Sequence, residues 1–256
     1  MSGHPPDPWR FLADRTQARI ALGRAGASLP TAALLTFDLA HAQARDAVHS
    51  ALDVESMKAG LERCGLPAVE VESEAADRQR YLRRPDDGRR LSAPSRTLLS
   101  GCARAPCDLA LAIGDGLSAQ AANHHAVAVV AAVLPLLQRR GLVIGPVVVA
   151  RGARVALGDE IGALLRARTI AVLIGERPGL SASDSLGIYL TYDPKPGRKD
   201  SERNCISNVR AAGLSPADAA RQLAWLVEAA LARRLSGVLL KDESGQVQHT
   251  RLRPPE

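Results

Sequence analysis

Aromatic residues are scarce in this 256-residue chain, at 3%: two Trp, three Tyr and two Phe. Too few rings are available for a base-stacking platform, so single-stranded nucleic acid is not an expected partner. The net charge is +6 and the isoelectric point about 9.5. Yet the basic residues are arginines interleaved with acids, as in 77-DRQRYLRRPDDGRR-90, not one cationic block. A basic balance of this kind speaks to association and not to fold. Only four cysteines occur (Cys64, Cys102, Cys107, Cys205), without zinc-ribbon spacing, which reads as reduced thiols and assigns no metal ligand.

Long hydrophobic runs are also lacking. The longest, 126-AVAVVAAVLPLL-137, contains a proline and is too short to span a bilayer. The first residues, MSGHPPDPWRFLADRTQ, carry no apolar core of a signal peptide, so a cytoplasmic protein is expected. P-loop, G-x-S-x-G and H-E-x-x-H motifs are missing, and no nucleophilic triad or other catalytic residue can be assigned.

What is present is apolar: 46% hydrophobic residues, enough for a sizeable core built from Ala, Leu and Val. Residues 9–65 read as helical. In 38-DLAHAQARDAVHSALD-53, Leu39, Ala42, Val48 and Leu52 recur at helical period, with Asp38 as a candidate cap and His41, Arg45 and His49 aligned on the polar side. Residues 66–107 turn polar and Pro-punctuated, and read as a loop or linker holding the domain boundary. We place a helical N-terminal region with its linker at 1–90 and an α/β region at 91–256.

After the linker, strands alternate with helices. Apolar runs at 108–116, 143–151, 169–175 and 186–192 are separated by helices at 117–141 and 158–167. A last helix, 215–235, has Ser215 as N-cap and Pro216 at its first position. The pattern predicts a Rossmann-like three-layer α/β sheet, buried on both faces. Ligands of such sheets sit outside the carboxyl ends of strands, and two loops have suitable composition there. The first, 114-GDGLSA-119, satisfies the dinucleotide fingerprint formally, but residues 134–150 contain no acid to hold a ribose. The second, 175-GERPG-179, lets the backbone pass close to a bulky group while Glu176 accepts hydrogen bonds; its plainer reading is a strand-to-helix turn with Glu176 paired to an arginine.

Six segments in order carry a resemblance: 18-ARIALGRAGASLPT-31, 39-LAHAQARDAVH-49, 81-YLRRPDDGRRLS-92, 145-GPVVVARGARVALGDEIG-162, 174-IGERPGLSASDSLGIYLTYDP-194 and 203-RNCISNVRAAGLS-215. Together, across about residues 15–241, they resemble the small subunit of ethanolamine ammonia-lyase. The resemblance implies an adenosylcobalamin-dependent enzyme that converts ethanolamine to acetaldehyde and ammonia. It also implies a large-subunit partner with a TIM barrel, the cofactor lying between the chains. Carried over by motif, the cobalamin-binding positions are Val155 in RVALGDE, Glu176 in GERPG and Cys205 in RNCIS, the last as a small contact and not a cobalt ligand, with Asn204 and Asn208 adding amides. The sequence lacks D-x-H-x-x-G, so a base-on corrinoid is expected. Enteric members carry a longer N-terminal extension associated with a bacterial microcompartment; only some 15 residues precede the matching region, which puts encapsulation in doubt.

Overall fold

The computed structural model describes residues 7–16, 18–102 and 105–244. Residues 1–6, 17, 103–104 and 245–256, which include the outer ends of both expected regions, lie outside the described residues.

The N-terminal part is less helical than its composition suggests. Arg10–Arg15 forms a 3-10 turn, and residues 18–30 form no helix, only a bridge between Ala25 and Ser28. Helix α1 (Thr31–His49) follows directly on its N-cap residue, Pro30. Asp38, expected as a cap, therefore lies inside it. Leu39, expected on the core face, is 59% exposed, because α1 buries only Ala40 and Ala47. Helix α2 (Val54–Arg63) follows, its first turn capped by Asp53, which accepts from the Ser56 amide at 3.1 Å.

The stretch 66–107, expected as a linker, is structured instead. It supplies strand β1 (Ala68–Glu72), helix α3 (Arg78–Arg83) capped by Asp77, and helix α4 (Ala93–Cys102). Its polar sequence hid them because β1 is an edge strand with charged residues at Glu70 and Glu72, and α3 is a short helix with three arginines and one buried residue, Tyr81.

From β2 (Cys107–Gly114) onward the observed order is the expected alternation: α5 (Ala119–Gln138), β3 (Ile144–Arg151), α6 (Leu157–Leu164), β4 (Ala167–Gly175) and β5 (Leu186–Tyr192). Two further elements close the chain: β6 (Arg203–Val209), not foreseen as a strand, and α7 (Pro216–Arg233), whose N-cap Ser215 accepts from the Asp218 amide. The six strands form one sheet in the order β1-β3-β2-β4-β5-β6. The first four are parallel; β5 and β6 are added as antiparallel hairpins.

Strand residues alternate cleanly between two cores. Leu109, Leu111, Ile113, Val147, Val149, Ala171 and Leu173 face α2, α5 and α7. Ala110, Ala112, Val148, Ala150, Ile170 and Val172 face α4 and α6. The fold is a three-layer α/β sandwich. By length and composition α5 could cross a membrane, but it packs on the sheet and on α7, with Ala122, Ala126, Val130, Val133 and Leu137 fully buried.

Candidate functional site

The parallel strands β2, β3 and β4 end on one side of the sheet, at Gly114, Arg151 and Gly175. Three loops gather there: 115–118, 152–156 and 176–185. The first is used to build the others. Asp115 is partly buried and accepts from the amides of Gly116, Gly152 and Ala153 at 2.9, 3.0 and 2.8 Å. Burial pushes its carboxyl above the usual range, against the pull of those amides. Gly116 has φ +56, and a Cβ there would lie 2.2 Å from the Gly175 carbonyl oxygen. A Cβ on Gly175 would lie 1.9 Å from the Ser118 carbonyl oxygen. The glycines of 114-GDGLSA-119 thus serve backbone packing between two strand ends. Ser118 caps α5 and also donates to the Ser183 carbonyl at 2.8 Å. With its glycines committed to packing and no ribose-binding acid, the loop gives a dinucleotide no support.

Glu176 is the first residue after β4, and it opens a hairpin to β5, not a turn into a helix. No ion pair joins it to an arginine among the described residues. Its Oε2 accepts from the Ser185 hydroxyl at 2.5 Å and the Asn208 amide at 3.3 Å, while its own amide donates to the Ser185 carbonyl at 2.9 Å. That fixes the carboxylate and leaves Oε1 over Gly187, 3.0 Å from where a Cβ would stand; the Tyr189 ring lies equally close to that point. Gly187 is itself buried, and its missing side chain lets the carboxylate and the aromatic ring approach each other over the strand.

Alternation along β5 puts Gly187 and Tyr189 opposite the core residues Leu186, Ile188 and Leu190. Tyr189 is directly paired with Cys205 of β6, so the two side chains share that face. Helices α5 and α7 pack on the other face of these strands. On this one Cys205 and Ser207 are exposed and Tyr189 is half-buried. Burial pushes the Tyr189 hydroxyl up, and the neighbouring Cys205 adds to it. The Cys205 thiol, though its residue is exposed, is also pushed up by desolvation of its sulfur beside Tyr189, against its hydrogen bond with that residue, and is a weakly polar contact.

Val155 sits in the turn between β3 and α6, half-buried against the same core layer as Tyr189. Both line a cavity of about 750 Å³ whose walls mix basic residues (Arg89, Arg154, Arg198, Lys199) with acids (Asp86, Asp159, Glu160, Asp200), several of them already paired, as Arg89 is to Asp86. Glu176 and Cys205 do not line it; they belong to the adjoining open sheet surface. The floor is braced by a buried ion pair, Arg203 to both oxygens of Asp159 at 2.6 and 2.8 Å. The two amides expected near Cys205 are otherwise engaged. Asn204 bonds Gly237 and Leu240 of the C-terminal segment, and Asn208, at φ +59, offers Glu176 its backbone amide and Arg210 its side-chain oxygen.

Ser185, Gly187 and Tyr189 were not read from sequence as site residues. Period-two alternation through 186-LGIYLTY-192, with a glycine in the strand interior, was the available signal.

These loops and strands bear the segments that carried the resemblance, and the comparison with known families decides it. The family model Ethanolamine ammonia-lyase light chain (EutC) matches residues 6–241, beginning nearer the N-terminus than the motifs alone indicated. This chain belongs to that family. It is 58% identical over 241 residues to the ethanolamine ammonia-lyase small subunit of Bradyrhizobium diazoefficiens, covering 94% of this chain and 92% of that one. The small subunit of Rhodopseudomonas palustris is 57% identical over 92% of this chain and 90% of its own, and that of Xanthomonas campestris 52% over 94% and 89%. As a light chain of a lyase, it implies a large-subunit partner.

Proposed function

We propose that this chain holds adenosylcobalamin against the large subunit of an ethanolamine ammonia-lyase, which converts ethanolamine to acetaldehyde and ammonia. The observation that carries the reading is the open face of β5 and β6. Small residues, Gly187 and Cys205, let the Tyr189 ring lie along it, and the oriented carboxylate of Glu176 forms its rim. Such a surface with one fixed acceptor suits a broad macrocycle edged with amides, and these residues fit the group. Glu176 accepts from such an amide or from the nucleotide tail, Cys205 gives a small contact, and Val155 gives apolar or main-chain contact. When bound base-on, adenosylcobalamin supplies a radical through homolysis of its Co–C bond. This chain's part is to bind, orient and exclude water; it offers no acid or base for the reaction itself.

The first half of α1 supports a large-subunit partner. Leu34, Leu35, Phe37 and Leu39 are 46, 62, 39 and 59% exposed on a helix half that buries almost nothing in this chain. Apolar residues so displayed mark a docking surface, and the 1–90 region is where we place the contact. In 81-YLRRPDDGRR-90, Arg89 is paired to Asp86 at 3.0 Å, Arg90 to Glu74 at 2.9 Å and Asp87 to Arg80 at 2.6 Å, while Arg83 and Arg84 make no ion pair among the described residues. We place the assembly in the cytoplasm.

Glu176→Gln in the assembled complex tests the reading. Loss of a charged acceptor costs about 1.5–3 kcal/mol, or about 10- to 150-fold in adenosylcobalamin affinity. An unchanged dissociation constant in a spectroscopic titration, with assembly intact, would reduce Glu176 to a turn residue.

A further inference from the structure

A second cluster lies apart from the cobalamin-facing surface, where α5 meets the 176–185 loop. His124 and His125 are consecutive on α5, and Asp184 comes from the loop 59 residues away in sequence. One ligand atom from each of the three falls within 4.8 Å of the others. His125 Nε2 and Asp184 Oδ2 are 3.1 Å apart, close to the about 3.3 Å that separates two ligands on a tetrahedral zinc with bonds of about 2.0–2.1 Å. The His124 ring stands edge-on to that of His125, at 82° with centroids 5.9 Å apart, and is exposed, so its rotamer can close the remaining distance without moving the helix.

We propose that His124, His125 and Asp184 bind a divalent late first-row transition-metal ion, with water in the fourth position. Two imidazoles and one carboxylate are the donor set of zinc and its neighbours, whereas calcium and magnesium take oxygen ligands. Two ligands stand on a rigid helix and the third on a loop otherwise tied by single bonds, such as Ser118 to Ser183 and Arg19 to Leu180. A metal there fastens the loop that begins at Glu176 and ends at Ser185, the residue whose hydroxyl orients it. The site itself does not depend on what Glu176 binds.

Zinc is the probe. Untagged chain, stripped with a chelator, is titrated by calorimetry at neutral pH, alongside His124→Ala, Asp184→Asn and the double control His41→Ala/His49→Ala. The His124 side chain makes no hydrogen bond among the described residues, and Asp184→Asn keeps shape, so both variants retain the fold, checked by circular dichroism. The expected result is saturable binding of about one zinc ion, weakened at least about tenfold by each cluster substitution and unchanged in the control. Cobalt in place of zinc should show only weak visible bands, without the intense sulfur-to-metal absorption of a thiolate site. No saturable binding, zinc affinity that survives both cluster substitutions, or a thiolate signature would each overturn the site and leave His125–Asp184 as a plain hydrogen bond between helix and loop.

Discussion

Arg203→Leu removes the cation from a pair whose side chains are each only 2% exposed. Asp159 then loses both charge-assisted bonds, at 2.6 and 2.8 Å. Thr191 Oγ1 and the Arg198 carbonyl also lose donors, each at 3.0 Å. Breaking a buried pair from one side costs about 3–5 kcal/mol, because a charge is left without compensation. Two features place this case near the low end. Asp159 lies in the first turn of α6, where the helix dipole favours an anion, and it borders the 750 Å³ cavity, so water can approach it once the guanidinium is gone. About 3 kcal/mol corresponds to a fall of about 6–12 °C in melting temperature for a chain of this size. The double variant Arg203→Leu/Asp159→Leu should recover much of that loss, since an apolar pair replaces the buried ions. Thermal unfolding of the three proteins, followed by calorimetry, gives the answer. A single-variant loss under about 1 kcal/mol would mean the pair behaves like a surface bridge, and the account of the floor of the site would be wrong.

Gly175→Ala puts a Cβ 1.9 Å from the Ser118 carbonyl oxygen, a backbone atom that cannot yield, so a loss above about 4 kcal/mol and poor soluble yield are expected in expression trials. Glu70 is bonded to Lys58 at 2.8 Å and Arg151 at 2.9 Å, and the Lys58 bond foremost holds its carboxyl below the usual range. Its stabilisation is therefore present above about pH 4.3 and lost as pH falls through the lowered folded value, so Glu70→Gln should cost about 1 kcal/mol at pH 7 and flatten the acid limb of a stability–pH curve; an unchanged limb would contradict this. Leu35→Glu/Leu39→Glu should leave unfolding within about 0.5 kcal/mol of the parent per site, yet weaken association with the large subunit by at least about tenfold in a sedimentation assay.

Strands β2, β3 and β4 were legible because they lie inside the sheet and read as apolar runs, as in 169-TIAVLIG-175. What stayed hidden is polar for a physical reason. Strand β1 is at an edge and carries Glu70 and Glu72; β6 is the opposite edge, and Asn204, Cys205, Ser207 and Asn208 obscure the alternation of Ile206 and Val209. Helix α1 misled in the other direction. Its apolar residues have helical period, but Leu34, Leu35 and Leu39 face away from this chain's core, and periodicity does not tell which body an apolar stripe will meet.

The candidate site follows from the point where the sequence stops alternating. A parallel connection needs a crossover, and α5 and α6 supply one on each face of the sheet. After β4 the chain turns back through 176–185 into antiparallel β5 and again into β6, with no helix between them. Helix α7, the next element long enough to cover two strands, goes to the face already holding α5. Tyr189 and Cys205 are thus left on a sheet surface that α5 and α7 do not cover, while the same hairpin carries Glu176 to its rim. The motifs IGERPG and RNCIS lie in separate strands, and neither spacing nor composition brings them together. Antiparallel pairing does, setting Cys205 opposite Tyr189 and the Asn208 amide within reach of Glu176.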